Sequence, residues 1–535
     1  MKPVKREPTQ DNPPGNPSIV IIGAGFAGIT LALRLKRAGF DRLLIVEKGD
    51  GVGGVWRENT YPGAACDVPS QLYSISSAPN PRWGRRYAEQ GDILAYLRRV
   101  ADESGLLSLL RTKTEIAKAA FDERTNTWRL TTTTSQELEC DVVISAVGQL
   151  SRPSVPDIPG ISGFAGPSFH SANWDHDLNL SGKRLAVVGT GASSVQFVPV
   201  VAAGAEHLDV FQRSAPWVLP KFDRQYGGRH HQLLRKLPIL RLSERLMIWT
   251  IFEFLALALV DAKPVARVLG VIALRHLGRQ VSDARLRSHL TPDYAPGCKR
   301  ILFSSDYYPA LARPNVSLVT DDIQAVEPGG IRTVNGDFHA ADVIIYGTGF
   351  SATEFLSPME VYGRSDRKLS DVWADGAHAY YGLSVPEFPN FLMMYGPNTN
   401  VGSGSIVYML ESQARHIVRL MKVLRAHPGS VIEVRADVEK RFNDRLSRRL
   451  DRSVWTMCTS WYRSARGSIS TNWPSPTFLY RLRARRPKRR AYVLSRPAPA
   501  NSSRRGTPEP PTPIWPTCPM PQAGPIASTS GGSVQ

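Results

Sequence analysis

The chain has 535 residues, of which 42% are apolar, so it is long enough for two or three domains with sizeable cores and is neither collagen-like nor disordered by composition. Its formal net charge is +19, but residues 481–535 contribute +9 of it, with ten Lys or Arg against the single Glu509. This segment also holds 11 prolines, which predicts a disordered basic tail. The remaining charge of +10 does not require a nucleic-acid partner.

The N-terminus and the cysteines indicate the cellular compartment of the protein. Residues 1–17 carry charge and proline without the apolar core of a signal peptide, which predicts a disordered leader. The chain has no CxxC pair, and no metal-ligand cluster lies beside its scattered cysteines, which favours a reducing, cytoplasmic location and argues against a disulfide reductase. The cysteines are Cys66, Cys140, Cys298, Cys458 and Cys518.

The longest apolar run spans residues 246–260. It has 15 residues and includes Glu253, whereas a membrane span needs roughly 18 to 20 apolar residues. The run therefore predicts a buried helix and no transmembrane segment, with peripheral contact to a membrane as the alternative.

A glycine-rich loop follows the first apolar segment. Residues 18–47 read SIVIIGAGFAGITLALRLKRAGFDRLLIVE, with Gly23, Gly25 and Gly28 in G-x-G-x-x-G spacing between an apolar run and a helical pattern. Such glycines allow a tight turn and let the backbone approach a pyrophosphate at the helix N-terminus. Glu47 lies 24 residues after Gly23, where a carboxylate can accept hydrogen bonds from a ribose 2′-OH. The unit predicts an FAD site.

A second unit of the same kind spans residues 183–213, KRLAVVGTGASSVQFVPVVAAGAEHLDVFQR. Gly189 and Gly191 are the first two glycines of its loop, and Ser194 stands at the third position, which predicts slightly wider packing of helix on strand. Arg213 lies 24 residues after Gly189, where a guanidinium would meet a 2′-phosphate. The unit predicts an NADP site, with a solvated surface arginine as the alternative for Arg213.

Each unit ends alike, with DVVISAVG at 141–148 and DVIIYGTG at 342–349, which indicates an internal duplication. We therefore predict an α/β fold with two Rossmann-like dinucleotide-binding domains, a helical insert and a disordered tail. The predicted segments are the leader 1–17, the FAD domain 18–155 and 346–480, the NADP domain 156–220 and 298–345, the helical insert 221–297 and the tail 481–535.

Two longer motifs resemble signatures of the type I Baeyer-Villiger monooxygenases, within the flavin-containing monooxygenases. The family connector F-x-G-x-x-x-H-x-x-x-W-P/D is matched by Phe164, Gly166, His170, Trp174 and Asp175. The family signature G-G-x-W-x-x-x-x-Y-P-G-x-x-x-D is matched by Gly53, Gly54, Trp56, Tyr61, Pro62, Gly63 and Asp67. The resemblance covers about residues 17–480.

The resemblance implies an FAD- and NADPH-dependent monooxygenase. NADPH gives hydride to FAD, reduced flavin captures dioxygen, and the resulting peroxyflavin attacks a ketone to yield an ester or lactone. The alternative is oxidation of sulfur or nitrogen in a small molecule. A non-enzymatic, basic nucleic-acid-binding protein is a third reading, which leaves the two dinucleotide loops unexplained.

The resemblance also implies roles for single residues. Arg300 would stabilise the peroxyflavin, Asp67 would pair with Arg300, and Lys299 would join Arg213 on the 2′-phosphate. Trp461 resembles the family tryptophan that closes over the nicotinamide ribose. From the residues alone, a solvated basic patch is the preferred interpretation of Lys299 and Arg300.

The connector residues are expected to couple domain rotation to cofactor binding rather than to react with substrate. From chemistry alone, His170 is equally a loop histidine with satisfied hydrogen bonds. Gly54, Trp56 and Asp67 belong with the flavin site by the same resemblance. The substrate pocket is expected from the insert and from residues 397–413.

Overall fold

The computed structural model describes residues 15–260, 263–464 and 466–496, without the side chains of 258–260, 263 and 264. Residues 1–14 of the predicted leader and 497–535 of the predicted tail lie outside the described residues. The strands are β1 (Ile19–Ile22), β2 (Leu43–Val46), β3 (Leu110–Arg111), β4 (Ile116–Asp122), β5 (Thr127–Thr132), β6 (Glu137–Cys140), β7 (Val142–Ser145), β8 (Ser168–His170), β9 (Arg184–Val188), β10 (His207–Phe211), β11 (Val218–Leu219), β12 (Leu302–Phe303), β13 (Val316–Val319), β14 (Ile323–Glu327), β15 (Gly330–Thr333), β16 (Phe338–Ala340), β17 (Val343–Tyr346), β18 (Glu360–Tyr362), β19 (Phe391–Met393), β20 (Val431–Val434) and β21 (Tyr492–Ser495). The helices are α1 (Phe26–Arg37), α2 (Val55–Glu58), α3 (Gln90–Glu103), α4 (Ala192–Val201), α5 (Gly228–Lys236), α6 (Pro238–Val260), α7 (Lys263–Gln280), α8 (Ala284–His289), α9 (Tyr307–Leu311), α10 (Leu369–Val372), α11 (Ile406–Ala426), α12 (Ala436–Leu450) and α13 (Thr477–Ala484).

The first domain is built on a parallel sheet of five strands in the order β19-β7-β1-β2-β3. β1, β2 and β7 read as short apolar runs and are buried along their whole length, as expected when helices cover both faces of a parallel sheet. α1 packs against α11 beside this sheet. A second, four-stranded sheet in the order β18-β4-β5-β6 belongs to the same half of the molecule. The predicted α/β fold with a Rossmann-like first domain is confirmed.

The second domain repeats the plan with a parallel sheet in the order β13-β10-β9-β17-β8. β8 comes from the predicted connector and forms the edge of the sheet, with His170 opposite Tyr346 of β17. One core lies on each face of the sheet, around Val187 and Ile345 on one side and Ala186 and Ile344 on the other. The connector is thus part of the second sheet and not a free linker.

The insert contacts both domains. Leu277, Val281 and Leu290 belong to the core of the second domain, whereas Ile248 of α6 belongs to the core of the first. Among the described residues, no helix is long and apolar enough to cross a membrane. The prediction of a buried helix at 246–260 is wrong for one side of α6, because Phe254 is 61% exposed there.

The described structure continues to Arg496, which is 15 residues past the predicted start of the tail. β21 pairs antiparallel with β20, and the Tyr492 hydroxyl lies 2.8 Å from Nε2 of the buried His416. The Nδ1 of His416 lies 2.5 Å from the Ala484 carbonyl oxygen, which identifies Nδ1 as the protonated nitrogen of a neutral ring. The basic composition concealed this short strand and its tyrosine anchor.

His416 gives the fold a pH dependence. Burial lowers the pKa of its imidazole to about 4, so the unfolded chain binds the proton more readily than the folded protein. We expect stability to hold above pH 6.5 and to fall by about 3 kcal/mol as the pH drops from there towards 4. Thermal melts of wild type and His416→Gln across this range measure the difference. Exposed His289→Gln is the matched control, and parallel curves for wild type and His416→Gln would contradict the prediction.

Candidate active site

The first glycine loop lies where β1 ends and α1 begins. Gly23 has a φ of +108°, and a Cβ at Gly28 would lie only 1.9 Å from the Gly23 carbonyl oxygen, so a side chain cannot fit between helix and turn. Gly25 is the N-cap of α1, and no side chain caps this helix end. The first-turn N–H groups of α1 are therefore directed at a position suited to an anion, as a pyrophosphate requires.

Glu47 follows β2 and is buried beside this loop. Its Oε2 accepts a hydrogen bond of 2.8 Å from the Ala24 N–H, and its Oε1 accepts one of 2.9 Å from the Gly49 N–H. Arg57 forms an ion pair with the same Oε1 at 3.1 Å. Sequence reasoning missed Arg57, which fixes the carboxylate expected to receive a ribose hydroxyl.

The G-G-x-W motif packs directly on the first loop. A Cβ at Gly54 would lie 3.0 Å from the Gly25 Cα, so these two glycines form a close backbone contact. Trp56 donates its indole N–H to the Tyr73 hydroxyl at 3.0 Å. The motif therefore shapes the loop with backbone and leaves room for a ligand beside it.

The second glycine loop lies between β9 and α4. Gly189 has a φ of +103°, and Gly191 is the N-cap of α4, again without a capping side chain. Ser194 is fully buried, and a Cβ at Gly347 would lie 1.9 Å from its hydroxyl oxygen. Gly347 follows β17 where Ala146 follows β7 in the first domain. In the second domain the helix has a side chain, Ser194, and the residue after the strand is a glycine, Gly347. In the first domain the helix has the glycine, Gly28, and the residue after the strand has the side chain, Ala146.

Arg213 and Lys299 lie together beside the second loop. Arg213 is exposed, just past the end of β10. Lys299 donates to the Ser214 hydroxyl at 2.8 Å, and its ammonium lies 4.6 Å from the centre of the Tyr294 ring. Partial burial lowers the pKa of Lys299, and the nearby Arg213 lowers it further. Within the described part of the chain, neither cation forms an ion pair with a carboxylate, and two such neighbouring cations suit a dianionic phosphate.

Arg300 and Asp67 join the two domains. The Nε and Nη2 of Arg300 donate to Asp67 Oδ2 at 3.1 and 2.5 Å. The Asp67 carboxylate, with help from the Tyr462 and Tyr395 phenols, raises the pKa of Arg300 above its ordinary value against the effect of burial. Burial raises the pKa of Tyr462 to about 12, so this phenol stays protonated. The guanidinium is thus a permanent, oriented cation.

The connector residues lie where the chain passes from the first domain into the second. Gly166 is required by contact, since a Cβ there would lie 2.5 Å from the Asp342 carbonyl oxygen and 2.8 Å from the Phe164 ring. The Nδ1 of His170 accepts a hydrogen bond of 3.1 Å from the Ala172 N–H, and burial lowers the pKa of this imidazole. The His170 ring lies 5.6 Å from Phe350, on the chain segment that returns to the first domain.

Gln196 of α4 lies at a second contact between the domains, and Trp174 packs on the same helix within the second domain. The Trp174 ring packs 5.3 Å from Phe197 of α4, whereas Asp175 is exposed and accepts from the Asp177 N–H at 3.1 Å. Gln196 accepts from the Tyr61 hydroxyl at 3.0 Å and also bonds both backbone groups of Ala65, at 3.2 and 2.9 Å. Sequence reasoning missed Gln196, although it lies two residues after Ser194.

Trp461 is 40% exposed, and its ring lies 4.3 Å from that of Tyr462. The same C-terminal segment carries Cys458, which forms a disulfide with Cys298. This bond was not expected from the spacing of the cysteines, because 160 residues separate the two sulfurs along the chain. Disulfides are rare in a reducing cytosol, which stays the location that the sequence predicts. Among the described cysteines, Cys66 and Cys140 are free and buried.

Comparison with known proteins decides the family. The sequence profile of the pyridine nucleotide-disulphide oxidoreductases matches residues 20–226. A Baeyer-Villiger monooxygenase of Pseudomonas aeruginosa is 42% identical over 480 residues, which cover 89% of this chain and 91% of the relative. One from Streptomyces coelicolor is 41% identical over 90% of this chain and 93% of its own length. This chain belongs to the Baeyer-Villiger monooxygenase family. A crystal structure of OTEMO in complex with FAD and NADP superposes with a TM-score of 0.80, at 28% identity, over 91% of this chain and all of that one.

The residues present fit both dinucleotides that the solved relative contains. Each loop offers an uncapped helix N-terminus above close-packed glycines, which is the cradle that a pyrophosphate occupies. After its second strand the first loop has Glu47, paired with Arg57, whereas the second loop has Arg213 and Lys299, where a 2′-phosphate would lie. The donor sets of the two Baeyer-Villiger monooxygenase loops therefore differ in the way that FAD and NADP differ.

Ser194 and Gly347 should depend on each other energetically. We expect Gly347→Ala to destabilise the protein by about 1–3 kcal/mol, because its methyl group meets the Ser194 hydroxyl in a packed core. The added change Ser194→Gly should restore most of this loss, as measured by denaturant unfolding of the single and double variants. The matched control is Gly163→Ala, since Gly163 has open space around it and no positive φ, and it should leave the stability nearly unchanged. Additive effects of Ser194→Gly and Gly347→Ala would contradict the packing explanation.

The disulfide can be tested by counting thiols. We expect the denatured, air-purified protein to gain two titratable thiols on reduction, because the sulfurs of Cys298 and Cys458 are bonded. Cys298→Ser should remove this gain and release Cys458 as a free thiol. The same count before and after reduction would show that both cysteines are reduced, and would favour the cytoplasmic location predicted from the sequence.

Proposed function

We propose that this chain inserts one oxygen atom of dioxygen into a ketone, to give an ester or lactone, with bound FAD and NADPH. The observation that carries the proposal is the Arg300–Asp67 pair, in which an arginine of the second domain is held at 2.5 Å by a carboxylate of the flavin-domain signature. Bound FAD supplies the redox chemistry and the activation of dioxygen. The protein supplies charge, orientation and exclusion of water.

Arg300 is proposed as the catalytic cation. Oxygen transfer develops negative charge on an oxygen atom, and a guanidinium can stabilise that charge without losing its proton to it. Asp67 engages Nε and Nη2, so the Nη1 of Arg300 is left to donate towards substrate oxygen. In this arrangement Asp67 orients the cation, which makes it a positioning residue with respect to the reacting atoms.

The cofactor residues divide between the two loops. We assign Gly23, Gly25, Gly28, Glu47, Gly54 and Trp56 to FAD, and Gly189, Gly191, Ser194, Arg213 and Lys299 to NADPH. Ser194 contributes by fixing α4 against Gly347, since its hydroxyl is buried in that contact. Trp461 is assigned to the nicotinamide ribose because its ring lies against that of Tyr462, beside Arg300.

The connector is proposed to transmit domain rotation. His170 contacts Phe350 on the returning chain segment, and Trp174 contacts α4, which carries the second loop. A displacement of the second domain therefore acts on both residues together. The neutral, hydrogen-bonded imidazole of His170 suits packing better than proton transfer to a substrate.

The substrate is proposed to be a small apolar ketone. Residues of the insert and of segment 397–413, from which the sequence predicts the pocket, meet where the Ser403 hydroxyl donates to the Phe252 carbonyl at 3.3 Å. The side chains around this contact combine apolar groups with a few hydroxyls: Ala256, Val401, Trp455 and Trp473 with Ser403, Ser475 and Thr477. Such a surface favours a neutral organic ligand.

The proposed role of Arg300 predicts that its replacement lowers the rate of oxygenation. Arg300→Ala should still bind FAD but form roughly 100- to 1000-fold less ester from a ketone, because one well-placed electrostatic partner is removed. Incorporation of labelled dioxygen into the product is measured alongside flavin content. Arg300→Lys should restore oxygenation only in part, since an ammonium cannot form the same two bonds to Asp67.

The control is Arg285→Ala, at an exposed arginine of α8. It should leave ester formation unchanged. Wild-type ester formation by Arg300→Ala would remove Arg300 from the chemistry. An enzyme that oxidises a sulfide but no ketone in the substrate panel would replace the proposed ketone reaction with heteroatom oxidation.

The position of Arg213 predicts that the enzyme prefers NADPH to NADH. Arg213→Ala should lower kcat/KM for NADPH by about 10- to 100-fold and leave kcat/KM for NADH nearly unchanged, because only the 2′-phosphate loses a charged partner. Steady-state oxidation of both cofactors measures this. Arg313→Ala, at an exposed arginine after α9, is the control. Equal losses with NADPH and NADH in Arg213→Ala would contradict the phosphate contact.

A further inference from the structure

The solvent-facing side of α6 consists of uncharged residues. All four charged residues between positions 238 and 257 of this helix are at least partly buried: Arg241, Glu244, Arg245 and Glu253. The exposed residues in this range are Pro238, Ile239, Leu240, Leu242, Ser243, Leu246, Met247, Thr250, Ile251, Phe254 and Leu257. A helix that faces water normally has the opposite arrangement, with charges outside and apolar residues inside.

Polar bonds fix α6 in this orientation. The Nη1 of Arg245 donates to the carbonyl oxygens of Gln71 and Ser74, at 2.7 and 3.1 Å. Glu253 accepts from the Thr477 hydroxyl and from the Phe478 N–H. Rotating the helix to bury its leucines would break these hydrogen bonds of Arg245 and Glu253. The apolar side of α6 is therefore held outward by the rest of the fold.

The neighbouring helices extend the apolar surface. Phe478 and Leu482 of α13 are exposed, and the Phe478 ring lies 6.5 Å from Trp249 of α6. α7 is in contact with α6 and exposes Val268, Val271, Ile272 and Leu274. We call the exposed apolar residues of α6, α7 and α13 the apolar face. Scattered single apolar residues need no explanation, but exposed apolar residues concentrated on α6 and on the two helices that contact it are typical of an interaction site.

The exposed charges on these helices and on α5 all have one sign. In the described segments 228–257, 265–280 and 477–490, every exposed charged residue is basic. These residues are Arg229, Arg235, Lys236, Arg267, Arg275, Arg279, Arg483, Arg486, Lys488, Arg489 and Arg490. A partner that covers the apolar face must therefore combine apolar groups with negative charge.

We propose that the apolar face docks on the surface of an anionic phospholipid membrane. α6 lies along the interface, its leucines and phenylalanine enter the acyl region, and the arginines and lysines of α5, α7 and α13 meet lipid phosphates. With 23 residues, α6 is about 35 Å long, which suits a helix lying in the plane of the bilayer. A second copy of the chain fits less well, because the same basic residues would face each other.

The experiment uses full-length, FAD-loaded protein and flotation with vesicles. We expect binding to vesicles of phosphatidylcholine and phosphatidylglycerol in equal parts, and at least roughly tenfold weaker binding to phosphatidylcholine alone. Leu246→Glu/Phe254→Glu should weaken binding to the mixed vesicles by about 100-fold, since two inserted side chains become charged. Val334→Glu/Phe338→Glu, at exposed apolar positions of the second domain, is the matched control and should bind as wild type.

A second pair of variants tests the charges. Arg235→Glu/Lys236→Glu should weaken binding to mixed vesicles roughly tenfold or more, and Arg285→Glu/Arg313→Glu should not. This pair decides the question if Leu246→Glu/Phe254→Glu fails to retain flavin. The proposal is overturned if wild type binds neither vesicle, if it binds both equally, or if the glutamates only dissociate a dimer seen by light scattering, which would make the apolar face an interface between copies.

Discussion

The contact of Arg300 with Asp67 is the interaction on which the arrangement of the site depends. It joins a segment of the second domain to the signature motif of the first, and it keeps a positive charge partly removed from water. An isolated guanidinium in such a place would be costly, because desolvation penalises a charge that has no partner. The carboxylate offsets that penalty, and two protonated phenols, Tyr395 and Tyr462, complete its surroundings. The cation is therefore available for chemistry because a partner from another domain keeps it in place.

The two dinucleotide loops were predictable because their chemistry is local. A turn that admits only glycine, a helix start without a capping side chain and an acidic or basic residue after the next strand all lie within about 30 residues, which is the length of one such unit. Gly23, Glu47, Gly189 and Arg213 are therefore readable from spacing alone. The pairing of Lys299 and Arg300 with distant partners came from family resemblance, since no spacing rule connects residue 300 to residue 67.

What the sequence could not show depends on contacts between segments far apart along the chain. Gln196 is hydrogen-bonded to Ala65, Tyr492 is hydrogen-bonded to His416, and Cys298 forms a disulfide with Cys458. The sequence around each of these residues contains no motif that indicates its partner. The orientation of α6 was hidden for a related reason. Apolar residues surround most of that helix, so periodicity could not indicate which side the protein covers, and only the bonds of Arg245 and Glu253 decide it.

The disulfide has a mechanical consequence. Cys298 directly precedes Lys299, beside the core of the second domain, and Cys458 lies between Trp455 and Tyr462, which belong to the core of the first. The chain passes from the first domain to the second near residue 153 and returns near residue 350. These two segments pair with each other and form another connection between the domains. Arg300 lies two residues after Cys298, so while the bond is intact a rotation of the second domain would displace this cation less than the far edge of that domain.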